Sequence, residues 1–92
     1  MSKRYILIFS DRELSSSDKM DLAMILESRY GKVNVIPVDG NTRAIIVKTT
    51  GPSAALIRNE CRQLQVHGAH LTTALISGSI GKLKSRAFSS DA

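Results

Sequence analysis

Residues 4–9 read Arg-Tyr-Ile-Leu-Ile-Phe, an uninterrupted run of apolar and β-forming side chains. Alternate residues of a strand point to opposite faces of a sheet, so a strand that is apolar at nearly every position is buried on both faces. A second such run, Ala44-Ile45-Ile46-Val47, lies within residues 43–50. We expect these two segments to be the central strands of one sheet.

Two helices are predicted between the strands. Residues 18–30 carry apolar side chains at helical spacing, with Ser17 as the expected N-cap. A second helix opens at residues 51–53, where Pro52 suits the first turn, and ends before Gly68. The side chains of this helix that recur at helical spacing, and should face the sheet, are Ala54, Ile57, Cys61 and Leu64.

The remaining strands complete a βαββαβ order. Residues 33–38 form a strand that Pro37 places at a sheet edge, because proline cannot donate to a strand ladder. Residues 71–76 form the fourth strand. The order predicts an α+β, ferredoxin-like (RRM-like) sandwich, with a four-stranded antiparallel sheet and helices on one face. We expect a single domain over residues 1–84 and a flexible C-terminal tail over residues 85–92.

The predicted sheet has more apolar surface than two helices on one face would cover. Exposed apolar patches of this kind mark interfaces. The expected protein interface, which includes a self-association surface, comprises Tyr5, Leu7, Ile45 and Val47.

The charge of the chain favours a polyanionic partner. Thirteen Lys and Arg against 8 Asp and Glu give a formal charge of +5, and the surplus lies at the two ends of the chain, mostly after residue 42. Phosphate contacts release condensed counterions, so a one-sided basic surplus suits a nucleic acid. A solvated, solubilising surface is the alternative. Export and membrane-spanning signals are absent from the sequence, which predicts a cytoplasmic protein with no membrane partner.

Independent catalysis is not expected. Cys61 is the only cysteine and falls on the apolar side of its helix, as a buried thiol would. His67 and His70 have no carboxylate or cysteine nearby in sequence to complete a metal site. The sequence has no phosphate-binding glycine loop of the Walker type. We therefore predict no catalytic residue, no metal site and no cofactor bound by the protein.

RNA recognition through the sheet by base stacking is also not expected. An RRM stacks bases on aromatic side chains of its first and third strands; Tyr5 suits the first, but the third has no aromatic residue. Contacts to phosphates are the better expectation. The basic side chains predicted to form a phosphate track are Lys48, Arg58, Arg62, Lys82, Lys84 and Arg86.

The closing segment resembles a known family. Residues 75–82, Leu-Ile-Ser-Gly-Ser-Ile-Gly-Lys, resemble the Ser-Gly-Thr-Ile and lysine motif that ends the small protein subunit of archaeal and eukaryotic ribonuclease P, the family of archaeal ribonuclease P protein component 2. Residues 3–7 resemble its opening Arg-Tyr strand, and residues 44–48 and 55–58 its third strand and second helix. Ser79 replaces the family's threonine.

The resemblance implies a non-catalytic, RNA-binding subunit of the ribonuclease P endoribonuclease, which removes the 5′ leader of precursor tRNA. The RNA subunit performs that hydrolysis with Mg²⁺. Implied partners are ribonuclease P RNA, precursor tRNA, a TIM-barrel-like protein subunit and a second copy of the chain. In the loop after the fourth strand, Ser77, Gly78, Ser79 and Lys82 would approach the RNA backbone.

Two other functions have the same strand order. An ACT-like regulatory module would bind a small ligand and dimerise through its sheet. An acylphosphatase-like enzyme is the least supported, because the sequence has no match to the arginine-bearing phosphate loop of those enzymes.

Overall fold

Five strands form one antiparallel sheet on which three helices pack. The computed structural model describes residues 3–89, and it describes side chains for residues 3–84. The elements are β1 (Lys3–Ser10), α1 (Ser16–Tyr30), β2 (Asn34–Val38), β3 (Asn41–Thr50), α2 (Gly51–Cys61), β4 (Gln65–Val66), β5 (Ala69–Ser77) and α3 (Ile80–Ser89). The strand order is β2-β3-β1-β5-β4, and the mixed α+β class predicted from the sequence is confirmed.

The two apolar runs form the middle of the sheet, as predicted. β1 pairs with β3 from Lys3 opposite Thr50 to Phe9 opposite Ala44. The other edge of β1 pairs with β5, with a register shift between Leu7 and Ile8. Both central strands therefore have a hydrogen-bonded neighbour at each edge, and their apolar sequences are continuous because both of their faces are buried.

The strand count differs from the four expected. α2 ends at Cys61, earlier than predicted, and β4 pairs antiparallel with the start of β5. The turn between them consists of His67 and Gly68, with φ angles of 49° and 85°. Positive φ at both central residues is the conformation that tight hairpins favour, and histidine tolerates it better than most residues do. β4 rather than β5 is therefore the edge of the sheet.

Helices cover both faces of the sheet, not one. Ile6 and Ile8 of β1 pack in one buried cluster with residues of α1 and α2. Leu7, between them, packs in a second cluster with Leu83 of α3. Because neighbouring residues of a strand point to opposite faces, α3 lies across the face that the sequence predicted to be open.

The start of α1 is two residues earlier than predicted. Ser15, not Ser17, is the N-cap, and its hydroxyl accepts a hydrogen bond from the backbone N–H of Asp18 at 3.1 Å. The Asp18 carboxylate accepts one in return from the backbone N–H of Ser15 at 2.9 Å. This reciprocal capping box satisfies two backbone donors, which explains why Ser15 is favoured over Ser17 as the N-cap.

The predicted C-terminal tail overlaps α3. Residues 85–89 belong to this helix, and residues 90–92 of the predicted tail lie outside the described residues. None of the three described helices has the length and hydropathy that crossing a bilayer requires.

Candidate nucleic-acid interface

One end of the sheet concentrates basic side chains. The antiparallel pairing brings the start of β1, the start of β2 and the end of β3 together, with Asn34 opposite Lys48 and Lys3 opposite Thr50. A groove of about 270 Å³ lies at this end. It is lined by Lys3, Lys32, Val33, Asn34, Lys48, Thr49 and Thr50.

The three lysines of this groove are not neutralised by the protein. Lys3 and Lys32 are exposed, and Lys48 is half-buried. Within residues 3–84 none of them forms an ion pair, and the groove lining contains no carboxylate. Three neighbouring ammonium groups without counter-charges attract anions.

The first turn of α2 adjoins the same groove. Thr50 is its N-cap but makes no side-chain capping bond, and the first turn carries no acidic residue. The Thr50 hydroxyl instead donates to the Ser53 hydroxyl at 3.4 Å. The partial positive charge of a helix N-terminus reinforces the lysines at this position.

The loop after β5 reaches this end of the molecule as well. Ser77 lies opposite Tyr5 of β1. A Cβ atom at Gly78 would lie 3.3 Å from Nη1 of Arg4, so the guanidinium packs against the bare glycine backbone. The backbone N–H of Ser79 donates to the Ser77 hydroxyl at 3.1 Å. The Ser-Gly-Ser loop is therefore a neighbour of Arg4.

We call Lys3, Arg4, Lys32, Lys48 and the loop Ser77-Gly78-Ser79 the basic end. The opposite end of the sheet has no such surplus of one charge, because its acids are interspersed with Arg12 and Arg43. Asp11 and Glu13 follow β1, and Asp39 occupies the turn between β2 and β3. The Asp11 carboxylate accepts a hydrogen bond from the backbone N–H of His70 at 3.0 Å, and Glu13 accepts one from the Thr42 hydroxyl at 3.0 Å.

The predicted phosphate track is divided between two faces of the sheet. Arg58 and Arg62 are exposed on and just after α2, whereas Lys82 and Lys84 are exposed on α3. These helices cover opposite faces, so the four side chains do not form one line. Lys48 joins the basic end, and the side chain of Arg86 lies outside the described residues.

Three residues of the basic end were missed from the sequence: Lys3, Arg4 and Lys32. Lys3 and Arg4 belong to the apolar first strand, and Lys32 precedes the second strand. The pairing of antiparallel central strands could have located them, because the start of one strand must lie beside the end of its partner. Counting charges along the sequence does not show which strand ends are paired.

The four predicted interface residues lie on both sides of the sheet. Ile45 and Val47 pack beneath α1 and α2, and Leu7 packs beneath α3; all three are 0% exposed. Tyr5 is half-buried on the α3 side. Only Tyr5 among them has side-chain surface for a partner in this arrangement.

The residues considered for chemistry occupy structural positions. Burial raises the pKa of Cys61 to about 12, which disfavours the nucleophilic thiolate. His67 contacts two aspartates, and His70 is exposed on β5. Among the described residues no group of three or more His, Cys, Asp and Glu side chains is placed to hold a metal. No protein-family model matches the sequence, and no curated protein matches it.

Proposed function

We propose that the protein is a non-catalytic RNA-binding subunit of ribonuclease P and that its basic end binds RNA phosphates. One observation carries this proposal: Lys3, Lys32 and Lys48 line one groove without a carboxylate. The Ser-Gly-Ser loop, which carries the family resemblance, lies at the same end of the sheet beside Arg4. Small residues there let an RNA backbone approach closely.

The composition of the basic end favours recognition of the RNA backbone. The groove lining consists of lysines, threonines, one asparagine and one valine, with no aromatic side chain on which a base would stack. Ammonium groups contact phosphates irrespective of sequence. Recognition then depends on the shape of the folded RNA, with hydroxyl groups of the loop bonding phosphate or 2′-OH groups.

The strand order supports the ferredoxin-like part of the proposal. Without β4, the order is β2-β3-β1-β5, which places the first and third strands of a βαββαβ unit in the centre. In this interpretation the β4 hairpin and α3 are additions to that unit, one at an edge and one on a face.

The ACT-like alternative receives less support. It predicted dimerisation through the sheet, and α3 packs against β1, β3 and β5 on the face that α1 and α2 leave uncovered. The groove at the basic end would also suit only an anionic small ligand. An extended polyanion uses the whole basic end, including Arg4 and the loop.

The proposed partners follow from the resemblance. They are ribonuclease P RNA with its Mg²⁺, precursor tRNA, a TIM-barrel-like protein subunit and a second copy of the chain. Apolar surface for a protein partner is available at Tyr5 and on α1, where Met20 and Met24 are each 67% exposed.

Leader removal by the cognate RNA subunit tests the proposal. Cleavage of precursor tRNA is measured at limiting Mg²⁺ with and without the protein, and again with a variant in which Lys3, Lys32 and Lys48 are alanine. We expect the native protein to lower the Mg²⁺ requirement, because its lysines replace counterions on the RNA, and the triple variant to lose most of this effect. Arg43→Ala, at the opposite end of β3, is the control. Equal stimulation by the native protein and the triple variant would overturn the assignment of the site, and no stimulation by the native protein would overturn the function.

A further inference from the structure

The two ring nitrogens of His67 contact the carboxylates of two different residues of α1. Its Nδ1 contacts Oδ1 of Asp18, and its Nε2 lies 2.6 Å from Oδ2 of Asp21. A carboxylate only accepts hydrogen bonds, and a neutral imidazole has a single N–H to donate. Only the imidazolium, with both nitrogens protonated, satisfies both contacts. We propose that protonated His67 clasps the β4–β5 hairpin to the N-terminal turns of α1 and that loss of its proton releases the hairpin.

The hairpin depends on such an attachment. β4 has two residues, which pair as Gln65 with His70 and Val66 with Ala69. A hairpin this short has little stability of its own in water. Val66 and Ala69 are buried in the main core, so the hairpin is docked through its apolar side and held at its turn by His67.

Asp18 is fixed in position to receive His67. Its carboxylate accepts the backbone N–H of Ser15 in the capping box, and this bond, with smaller contributions from His67 and the Ser15 side chain, lowers the pKa of Asp18 against the opposing effect of burial. Asp18 therefore stays ionised through the neutral range.

Other charged groups near the turn do not replace either contact. Arg12 lies on the loop that follows β1. Its Nη2 would be 3.7 Å from a Cβ atom at Gly68 of the turn. Asp11 accepts the backbone N–H of His70, and His70 itself is exposed on β5. Arg12 supplies positive charge that disfavours the imidazolium, whereas Asp11, Asp18 and Asp21 supply negative charge that favours it.

Release of the clasp changes a defined part of the surface. A groove of about 250 Å³ between α1 and the hairpin is lined by Asp21, Met24, Ile25, Gln65, Val66 and His67. When β4 separates from β5, this groove loses one wall, and β5 becomes an unprotected edge strand. The clasp therefore couples pH to the edge of the sheet, independently of the basic end.

Two measurements on the native chain and on His67→Asn test the clasp. Asparagine also tolerates the positive φ of residue 67 but carries no charge, so it is the matched control. At about pH 5.5 the ring-nitrogen NMR signals of His67 should show both nitrogens protonated. Between about pH 5.5 and about pH 8, protection of the β4–β5 amides from hydrogen exchange should fall roughly two- to fivefold in the native chain and stay constant in the variant.

Asp21→Asn provides a second test that does not disturb the turn. The Asp21 side chain is 46% exposed, so its replacement leaves the core intact, and the pH-dependent decrease in protection should become smaller. Two results would overturn the clasp. One is a His67 ring with a single protonated nitrogen at about pH 5.5, and the other is the same pH dependence of protection in the native chain and in His67→Asn.

Discussion

Leu7 of β1 and Leu83 of α3 are both completely buried in one cluster, on the face of the sheet opposite α1 and α2. Val38, Ala44 and Ile46 complete the buried part of that cluster. This shared burial fixes α3 on the sheet, because the Leu83 side chain is removed from solvent only while α3 stays packed there.

Leu83→Ala should therefore destabilise the protein substantially. Truncation of a buried leucine removes apolar burial and leaves a cavity, which together cost about 2–5 kcal/mol. Urea unfolding measures this change, and Lys84→Ala, one residue further along α3 and exposed, should change the free energy of unfolding by less than about 0.5 kcal/mol. Equal stabilities of the two variants would show that α3 does not hold the sheet face.

The third helix, α3, was not predicted from the sequence. Ile80 and Leu83 are three residues apart, as on one face of a helix, but Gly78 and Gly81 interrupt the segment and suggested a loop instead. The apolar residues of β1 and β3 indicated that the second face had to be covered. The sequence pattern could not show whether a helix of the same chain or another protein would cover it.

Lys48→Ala should reduce the salt dependence of RNA binding. Removing one lysine–phosphate contact decreases the slope of log affinity against log salt concentration by about 0.7–0.9. Fluorescence anisotropy with ribonuclease P RNA over a range of salt concentrations gives this slope. Arg43→Ala removes the same charge from the opposite end of β3 and should leave the slope unchanged; an equal reduction would mean that total charge, not the basic end, determines binding.

The basic end was only partly predictable, because strand register brings its residues together. Lys48 and the Ser77-Gly78-Ser79 loop were predicted to bind RNA, and they lie at one end of the sheet with Lys3 and Arg4. Arg58 and Arg62, predicted to belong to the same phosphate track, are exposed but lie on the other side of the sheet from the α3 lysines. Side chains distant in sequence come together through strand register, which charge counting does not include.

Ser15→Ala should lower stability by about 1 kcal/mol, because it leaves the Asp18 backbone N–H without its capping acceptor. Thermal or urea unfolding measures the decrease. Ser16→Ala is the matched control: Ser16 is the first residue of α1, is exposed, and alanine favours the helix there. If the two variants are equally stable, Ser15 is not the residue that starts the helix.

Asp18 should contribute to the acid sensitivity of the fold. The backbone N–H of Ser15 holds the pKa of Asp18 below its ordinary value. A carboxyl group with a lowered pKa stabilises the folded state at pH values above its unfolded pKa, and this contribution is lost as the pH falls through the folded one. The free energy of unfolding of the native protein should thus exceed that of Asp18→Asn at about pH 7, and the difference should shrink below about pH 4. A difference that is independent of pH would contradict this role.

Cys61 should be inert towards thiol reagents in the folded protein. Its pKa of about 12 leaves almost no thiolate at neutral pH, and its side chain is completely buried. Reaction with a chromogenic disulfide at about pH 8 should be roughly a thousandfold slower than in urea-unfolded protein. Fast reaction without urea would show that the region beneath α2 opens readily.

The distance between the basic end and the mixed charges that follow β1 would orient the proposed RNA partner as it approaches. The strand has 8 residues, which span about 26 Å, and it runs from Lys3 and Arg4 to the segment Asp11-Arg12-Glu13, whose charges are mixed. Ionic atmosphere screens charge over about 8 Å at physiological salt. The two ends are therefore too far apart to neutralise each other, and each acts on a nearby polyanion separately. An RNA bound as we propose would be attracted mainly to the basic end, which favours collisions that present this end first.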